Sequence, residues 1–134
     1  LREQHSLCYE TNSFYPTHVL NSHFVVYLGL DYDRIKVAKN EIERIMNQIV
    51  DGELLTEEDL KEVKRKIRGR YLLDHQTNSQ QSWYLGFWEI TGMGYEYDKQ
   101  YIKDLDNISL LEVRNVAKKI FTSPKIIVEL VPKK

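Results

Sequence analysis

The apolar pattern of this chain changes period at residue 31, and this change constrains the fold more than any other feature. Residues Val19 to Leu30 predict a strand, with Phe24, Val26, Leu28 and Leu30 on one face and His23, Val25 and Tyr27 on the other. A shorter alternating run from Cys8 to Tyr15 precedes it and ends at Pro16, a residue that interrupts a sheet ladder. The two runs therefore predict a β-hairpin with a short loop.

After the turn at residues 31–33, apolar residues recur at steps of three or four, which predicts a helix that ends at Asp51-Gly52. The apolar stripe of this helix consists of Ile35, Ala38, Ile42, Ile45 and Ile49. Thr56, followed by three acidic residues, predicts the start of a second helix. A third is expected from about Ser79 to Ile90, with Gly92 and Gly94 after it.

The last part of the chain predicts two more helices and a strand. Residues 98–105 have the pattern of a short helix, and Ser109 with Glu112 has the spacing of a capping box at the start of another. After Pro124, the run KIIVELV over residues 125–131 predicts a final strand.

The predicted order of two strands, four helices and one strand contains no strand–helix–strand alternation. It favours an antiparallel sheet covered on one face by helices, which is a two-layer α+β domain. The 134 residues fit a single domain. Because the chain opens on Leu1 in the middle of a pattern, with residues 1–6 resembling the last turn of a helix, we expect residues 1–134 to be the latter part of a larger domain.

Composition bounds the partners that we expect. The chain has 19 Lys and Arg against 20 Asp and Glu, so no overall basic field attracts nucleic acid. No apolar run approaches the roughly 20 residues that span a bilayer, so we expect no membrane insertion. The one cysteine, Cys8, excludes an internal disulfide and favours a reducing compartment such as the cytoplasm.

The four histidines, His5, His18, His23 and His75, do not predict a metal site. His18 and His23 are five residues apart and would lie on opposite faces of a strand. The sequence contains neither H-E-x-x-H nor its inverted form H-x-x-E-H. We therefore expect polar or half-buried histidines and no metal ligands in this chain.

Two further segments each permit two interpretations. The basic stretch at residues 61–70 predicts a solvated helix face, and the alternative is that it lines an anionic cavity. In the aromatic run at residues 82–90, Trp83, Phe87 and Ile90 share one helix face, and Tyr84 and Trp88 lie on an adjacent face. Because these residues cover a wide arc of the helix, we predict that they pack in the core. The alternative is that part of this surface contacts a second domain.

The run LREQHSLCY resembles the second-domain signature of the pitrilysin, insulin-degrading enzyme and mitochondrial processing peptidase family of inverted-zincin metallopeptidases. The matching positions are Leu1-Arg2, Leu7, Cys8 and Tyr9. The Tyr27-Leu28-Gly29 strand end, the Thr56-Glu57-Glu58-Asp59-Leu60 helix start, the Gly-bounded aromatic helix, the late helix ISLLEVRNVAKKIF and the final strand into Val131-Pro132 follow the family order. The resemblance covers essentially the whole chain.

In that family a first domain carries zinc on H-x-x-E-H, and a second domain contributes an arginine and a tyrosine that reach the bound peptide. The resemblance implies that Arg2 and Tyr9 are this pair. A guanidinium is a planar fork of donors for peptide carbonyls, and a phenol can donate to the oxyanion that develops on a scissile carbonyl. The resemblance also implies that zinc is bound outside this chain, by an N-terminal domain or a partner subunit. It implies further that the peptide substrate pairs as an added strand with a sheet edge.

Two alternatives stay open at this point. Arg2 could cap a helix C-terminus, and Tyr9 could be a packed strand residue. The parent protein could also be a catalytically inactive relative that serves as a peptide-binding or assembly subunit.

Overall fold

A computed structural model describes residues 8–17 and 19–132 of the chain. The described residues form an α+β protein with a two-stranded antiparallel sheet and five α-helices. The predicted α+β class is therefore confirmed.

The predicted hairpin is confirmed, but the start predicted for its second strand is wrong. β1 (Glu10–Phe14) pairs antiparallel with β2 (Val25–Gly29), and the register runs from Glu10 opposite Gly29 to Phe14 opposite Val25. Residues 19–24 precede β2 and do not belong to it, so the connection is long. These residues have no partner strand, because β1 ends at Phe14. Pro16 follows two residues later, and its missing N–H cannot extend the ladder.

The first predicted helix is confirmed as α1 (Ile35–Asp51), which follows a 3-10 turn at Tyr32–Arg34. It ends at Gly52, whose φ of 81° lies in the left-handed region. The Gly52 N–H donates to the Ile49 carbonyl at 3.2 Å. The positive φ favours glycine here, and a Cβ at this position would also come within 3.1 Å of the Arg114 guanidinium carbon.

The next two helices begin at threonine caps. Before α2 (Glu57–Asp74), the Asp59 N–H donates to the Thr56 hydroxyl at 3.2 Å and the Thr56 N–H donates back to the Asp59 carboxylate at 2.9 Å. This is the reciprocal capping box. Before α3 (Asn78–Ile90), the Gln80 N–H donates to the Thr77 hydroxyl at 3.2 Å, so the helix starts one residue earlier than predicted.

The helices after residue 94 also follow the predicted positions. A 3-10 turn at Tyr95–Lys99 leads into α4 (Tyr101–Asn107), where the sequence predicted one short helix over residues 98–105. The predicted capping box precedes α5 (Leu110–Phe121): Ser109 N–H donates to the Glu112 carboxylate at 2.7 Å, and the Glu112 N–H donates to the Ser109 hydroxyl at 3.3 Å.

The predicted final strand is wrong, because residues 124–132 pair with no strand of the described chain. The apolar residues of this segment are exposed, and Leu130 is 100% exposed. A β-prone run becomes a strand only when a neighbouring strand satisfies its backbone groups. Here the segment is held to α1 by the ion pairs Lys125–Glu43, at 2.9 Å, and Lys39–Glu129.

The described chain divides into two compact units. We call residues 8–16, 23–54 and 114–132 the sheet unit, and residues 55–113, with a short piece of the connection between the strands, the aromatic unit. The buried apolar residues are Cys8, Ala38 and Ala117 in the former and Leu105 and Leu110 in the latter. None of the helices in the described ranges has the length and apolar character needed to cross a membrane.

Candidate functional site

Tyr9, the tyrosine singled out by the sequence, lies immediately before β1 in the sheet unit. Its N–H donates to the Gly29 carbonyl at 2.7 Å, which ties its backbone to the end of β2. Its side chain is 69% exposed, so the alternative of a packed strand residue is wrong. Arg2, the other predicted site residue, lies outside the described residues.

The Tyr9 hydroxyl donates a hydrogen bond of 2.6 Å to the Asp31 carboxylate. This bond stabilises the neutral phenol and raises the pKa of Tyr9; the smaller effects of nearby Asp33 and Arg34 oppose each other. Tyr9 is therefore a neutral O–H donor at physiological pH. A neutral donor is what stabilisation of a developing oxyanion requires.

An apolar groove of about 400 Å³ lies in the sheet unit and is bordered by β1, the strand that Tyr9 precedes. Three helix positions from the predicted apolar stripe, Ile42, Ile45 and Ile49, form part of its wall. Phe24 and Phe121 meet edge to face with their ring centroids 5.3 Å apart. The full lining comprises Thr11, Asn12, Ser13, Phe24, Val26, Ile42, Ile45, Met46, Ile49 and Phe121.

The strand that borders this groove has a second edge. In the described ranges β1 pairs with β2 alone, and all five residues of β1 are exposed. The outer edge of β1 therefore presents backbone N–H and C=O groups on which an extended peptide can form a ladder. Tyr9 stands at the start of that edge, one residue before Glu10.

The aromatic unit contains a second cluster of polar groups, which sequence reasoning missed. The His75 ring lies between Tyr71 and Tyr84, with centroid distances of 3.8 and 4.4 Å. Its Nδ1 is 2.7 Å from the Tyr71 carbonyl oxygen, and its Nε2 is 3.2 Å from both carboxylate oxygens of Asp98. The expectation of a half-buried histidine is confirmed for His75.

Asp98 connects this cluster to the rest of the aromatic unit. Its carboxylate accepts a hydrogen bond from Trp88 Nε1 at 2.9 Å, and its backbone carbonyl accepts one from the Tyr71 hydroxyl at 2.8 Å. Burial raises the pKa of Tyr71, and the nearby Asp98 carboxylate raises it further. The polar atoms of the cluster are thus occupied by one another, which is the arrangement of a packed core network and not of a ligand site.

No local sequence signal could have revealed this cluster. His75 and Asp98 are 23 residues apart and belong to different elements, so only the packing of α2, α3 and the 3-10 turn brings them together. The prediction of core packing for α3 is right for one face and wrong for the other. Tyr84 and Trp88 pack inside the unit, whereas Trp83 is 62% and Ile90 73% exposed.

The basic stretch of α2 is occupied by partners of its own unit. Lys64 donates to the Asp106 carbonyl at 2.7 Å and to the Ile108 carbonyl, both at the C-terminal end of α4. Arg68 pairs with the Asp106 carboxylate, and Arg70 pairs with Asp74 at 2.8 Å. These contacts agree with the interpretation as a solvated, ion-paired helix face. Lys61, Lys64, Arg65 and Arg68 also line a groove of about 360 Å³, so the cavity interpretation stays a prediction.

Among residues 8–17 and 19–132 no three His, Cys, Asp or Glu side chains are grouped so as to hold a metal ion. A comparison of the chain with models of known protein families and with curated proteins finds no match. The site is therefore interpreted from its geometry and from the resemblance of its motifs.

Proposed function

We propose that this chain is the substrate-positioning, non-zinc part of a zinc-dependent metalloendopeptidase of the pitrilysin, insulin-degrading enzyme and processing-peptidase type. In this proposal the described elements belong to a two-layer metallohydrolase-like domain. Zinc is held by an N-terminal domain or a partner subunit. The observation that carries the proposal is the exposed Tyr9 phenol at the start of a strand edge that borders an apolar groove.

The arrangement suits an extended peptide. Backbone groups of the peptide pair with the outer edge of β1, and side chains on one face of the peptide enter the groove between the sheet and α1. The Tyr9 hydroxyl then donates to the carbonyl oxygen under attack, and Arg2 binds a neighbouring carbonyl or carboxylate. Specificity for apolar side chains follows from the isoleucine, methionine and phenylalanine lining.

Exposed apolar surface supports the need for a further domain or subunit. Trp83 and Ile90 lie on the uncovered face of α3, and Ile126, Val128 and Leu130 are 92%, 86% and 100% exposed in the C-terminal segment. Exposed apolar patches mark interaction surfaces in soluble proteins. The same observation also favours a second candidate function, that of an inactive family member acting as an assembly or peptide-binding subunit.

The proposal is tested in the protein that contains this chain together with its zinc-bearing domain or subunit. Arg2→Ala and Tyr9→Phe are each expected to lower kcat/KM for a peptide by about tenfold, because each removes a donor used in the transition state. Tyr27→Phe is the matched control, since Tyr27 is also an exposed tyrosine of the sheet unit but belongs to β2 and not to the outer edge of β1. We expect it to leave kcat/KM unchanged.

Three outcomes separate the candidate functions. Unchanged turnover in both variants contradicts the assigned roles. Peptide binding and assembly without any turnover by the unmodified protein identifies the inactive subunit. Hydrolysis or stoichiometric zinc in the 134-residue chain alone contradicts the assignment to a non-zinc domain.

A further inference from the structure

The hydroxyl proton of Tyr9 already forms a hydrogen bond in this structure. A phenol has one O–H, and that of Tyr9 points to Asp31 Oδ2 at 2.6 Å. The proposed function requires the same proton to be donated to a peptide oxygen. One proton cannot serve both acceptors at full strength, so Asp31 and the peptide compete for it.

The charge of Asp31 strengthens this competition. An ionised carboxylate only accepts hydrogen bonds, and it repels an oxygen on which negative charge develops. With Asp31 at 2.6 Å from the Tyr9 oxygen, the oxyanion would form close to a fixed negative charge. The contact therefore opposes the function of Tyr9 as long as it persists.

The local structure allows the Asp31 carboxylate to move away from the Tyr9 hydroxyl without unfolding of the turn. Asp31 precedes the 3-10 turn at Tyr32–Arg34, where its backbone carbonyl accepts the Arg34 N–H at 3.0 Å. Its side chain makes no capping hydrogen bond to that turn. The Tyr9 backbone is held independently by its bond to Gly29. The contact also lies at the surface, where water can replace either partner of the hydrogen bond.

We propose that Asp31 is an internal competitor for the Tyr9 hydroxyl, which keeps the donor occupied until a bound peptide displaces the carboxylate. This inference rests on the proposed function and concerns the regulation of that same site. It assigns to Asp31 the opposite effect from a positioning residue, whose removal would slow the reaction.

Asp31→Ala in the protein with its zinc domain tests the inference. If the occupied state is the larger fraction, removing the competitor raises kcat/KM by about threefold. Asp33→Ala is the matched control, because it removes a carboxylate of the same turn that makes no hydrogen bond to Tyr9. In the Tyr9→Phe background, Asp31→Ala is expected to give no increase. A decrease in kcat/KM with Asp31→Ala alone would show a positioning residue and overturn the inference.

A second measurement separates failure of the inference from failure of the proposed function. In the 134-residue chain, NMR titration of ring-labelled tyrosine, with the Tyr9 signal assigned by its loss in Tyr9→Phe, reports the contact without any peptide. Asp31→Ala should lower the pKa of Tyr9, and Asp33→Ala should lower it less. An unmoved pKa overturns the inference alone. A lowered pKa in a protein without any peptidase activity overturns the proposed function, and the inference with it.

Discussion

The aromatic unit and the sheet unit use their polar groups in opposite ways. Around Asp98, donors from Trp88, His75 and Tyr71 all end on acceptors inside the aromatic unit. In the sheet unit the Tyr9 phenol is exposed and its partner Asp31 is reached across the surface. A network that satisfies itself contributes stability and selects one packing, whereas an exposed hydrogen bond such as that of Tyr9 can be exchanged for one to a ligand.

The difference shows why a histidine with an acidic partner does not by itself mark the candidate site. His75 has an acidic partner and stacked rings, which often accompany catalytic groups. Its side chain is only 14% exposed, however, and its ring contacts Tyr71 and Tyr84, so little of it is open to a substrate. Tyr9 has fewer contacts and is the better candidate, because its hydroxyl lies where a peptide can reach.

The largest expected effect comes from removing the centre of the aromatic network. Asp98→Ala leaves Trp88 Nε1 and His75 Nε2 without their acceptor in a site where the His75 and Asp98 side chains are only 14% and 15% exposed. We expect the free energy of unfolding to fall by about 2–3 kcal/mol. Chemical denaturation followed by tryptophan fluorescence measures it, since Trp88 belongs to the network.

Asp106→Ala is the control for this variant. Asp106 is a carboxylate of the same unit that pairs with Arg68, but its side chain is 45% exposed. Its removal should cost less than about 1 kcal/mol. Tyr9→Phe should leave the unfolding midpoint unchanged. Equal losses of unfolding free energy for Asp98→Ala and Asp106→Ala would contradict the contrast between the buried network carboxylate and the exposed, ion-paired one.

Local sequence signals predicted the helices well. Thr56 with Asp59 and Ser109 with Glu112 are capping boxes in which the interacting residues lie three positions apart, so the signal and the contact are equally local. Gly52 is also predictable, because the left-handed end of α1 favours glycine at that one position. Each of these features depends on neighbours in the chain.

The features that the sequence did not predict depend on distant partners. Residues 19–24 and 125–131 were both predicted to be strand, yet neither run pairs, since a strand also needs a neighbour. The contact between Tyr9 and Asp31 spans 22 residues, and it follows from the hairpin register together with the turn after β2. For the candidate site, the sequence singled out Tyr9 but not Asp31 or the groove.

A smaller effect should appear in acid, and it should be confined to helices with capping boxes. Hydrogen bonds from Thr56 lower the pKa of Asp59, and hydrogen bonds from Ser109 lower the pKa of Glu112. Because the folded pKa values are lowered, the stabilisation is complete above the ordinary values of 3.8 and 4.5 and is lost as the pH falls through these and the lower folded values. α1 has no side-chain cap, so its start should lack this dependence.

Amide hydrogen exchange at the helix starts measures this difference as the pH is lowered. Protection at the starts of α2 and α5 should fall in acid, and Asp59→Asn should reproduce the loss at the start of α2 at neutral pH. Glu57→Gln is the matched control, because it removes a carboxylate from the same turn but outside the capping box. Equal acid sensitivity at the start of α1 would contradict the assignment to the capping boxes.

The smallest effect is expected at the C-terminal segment of the sheet unit, which two exposed ion pairs hold to α1. In the Lys125–Glu43 pair the side chains are 50% and 56% exposed, so the pair should contribute less than about 1 kcal/mol. Lys125→Gln should raise the rate of proteolytic cleavage within residues 125–131 by about twofold at low salt, and salt near 1 M should abolish the difference because it screens the pair. Lys36→Gln, the same charge change on α1 outside both pairs, should have no effect. The self-contained network of the aromatic unit should show no comparable salt dependence. A difference that persists at high salt would mean that apolar packing, and not charge, holds the segment to α1.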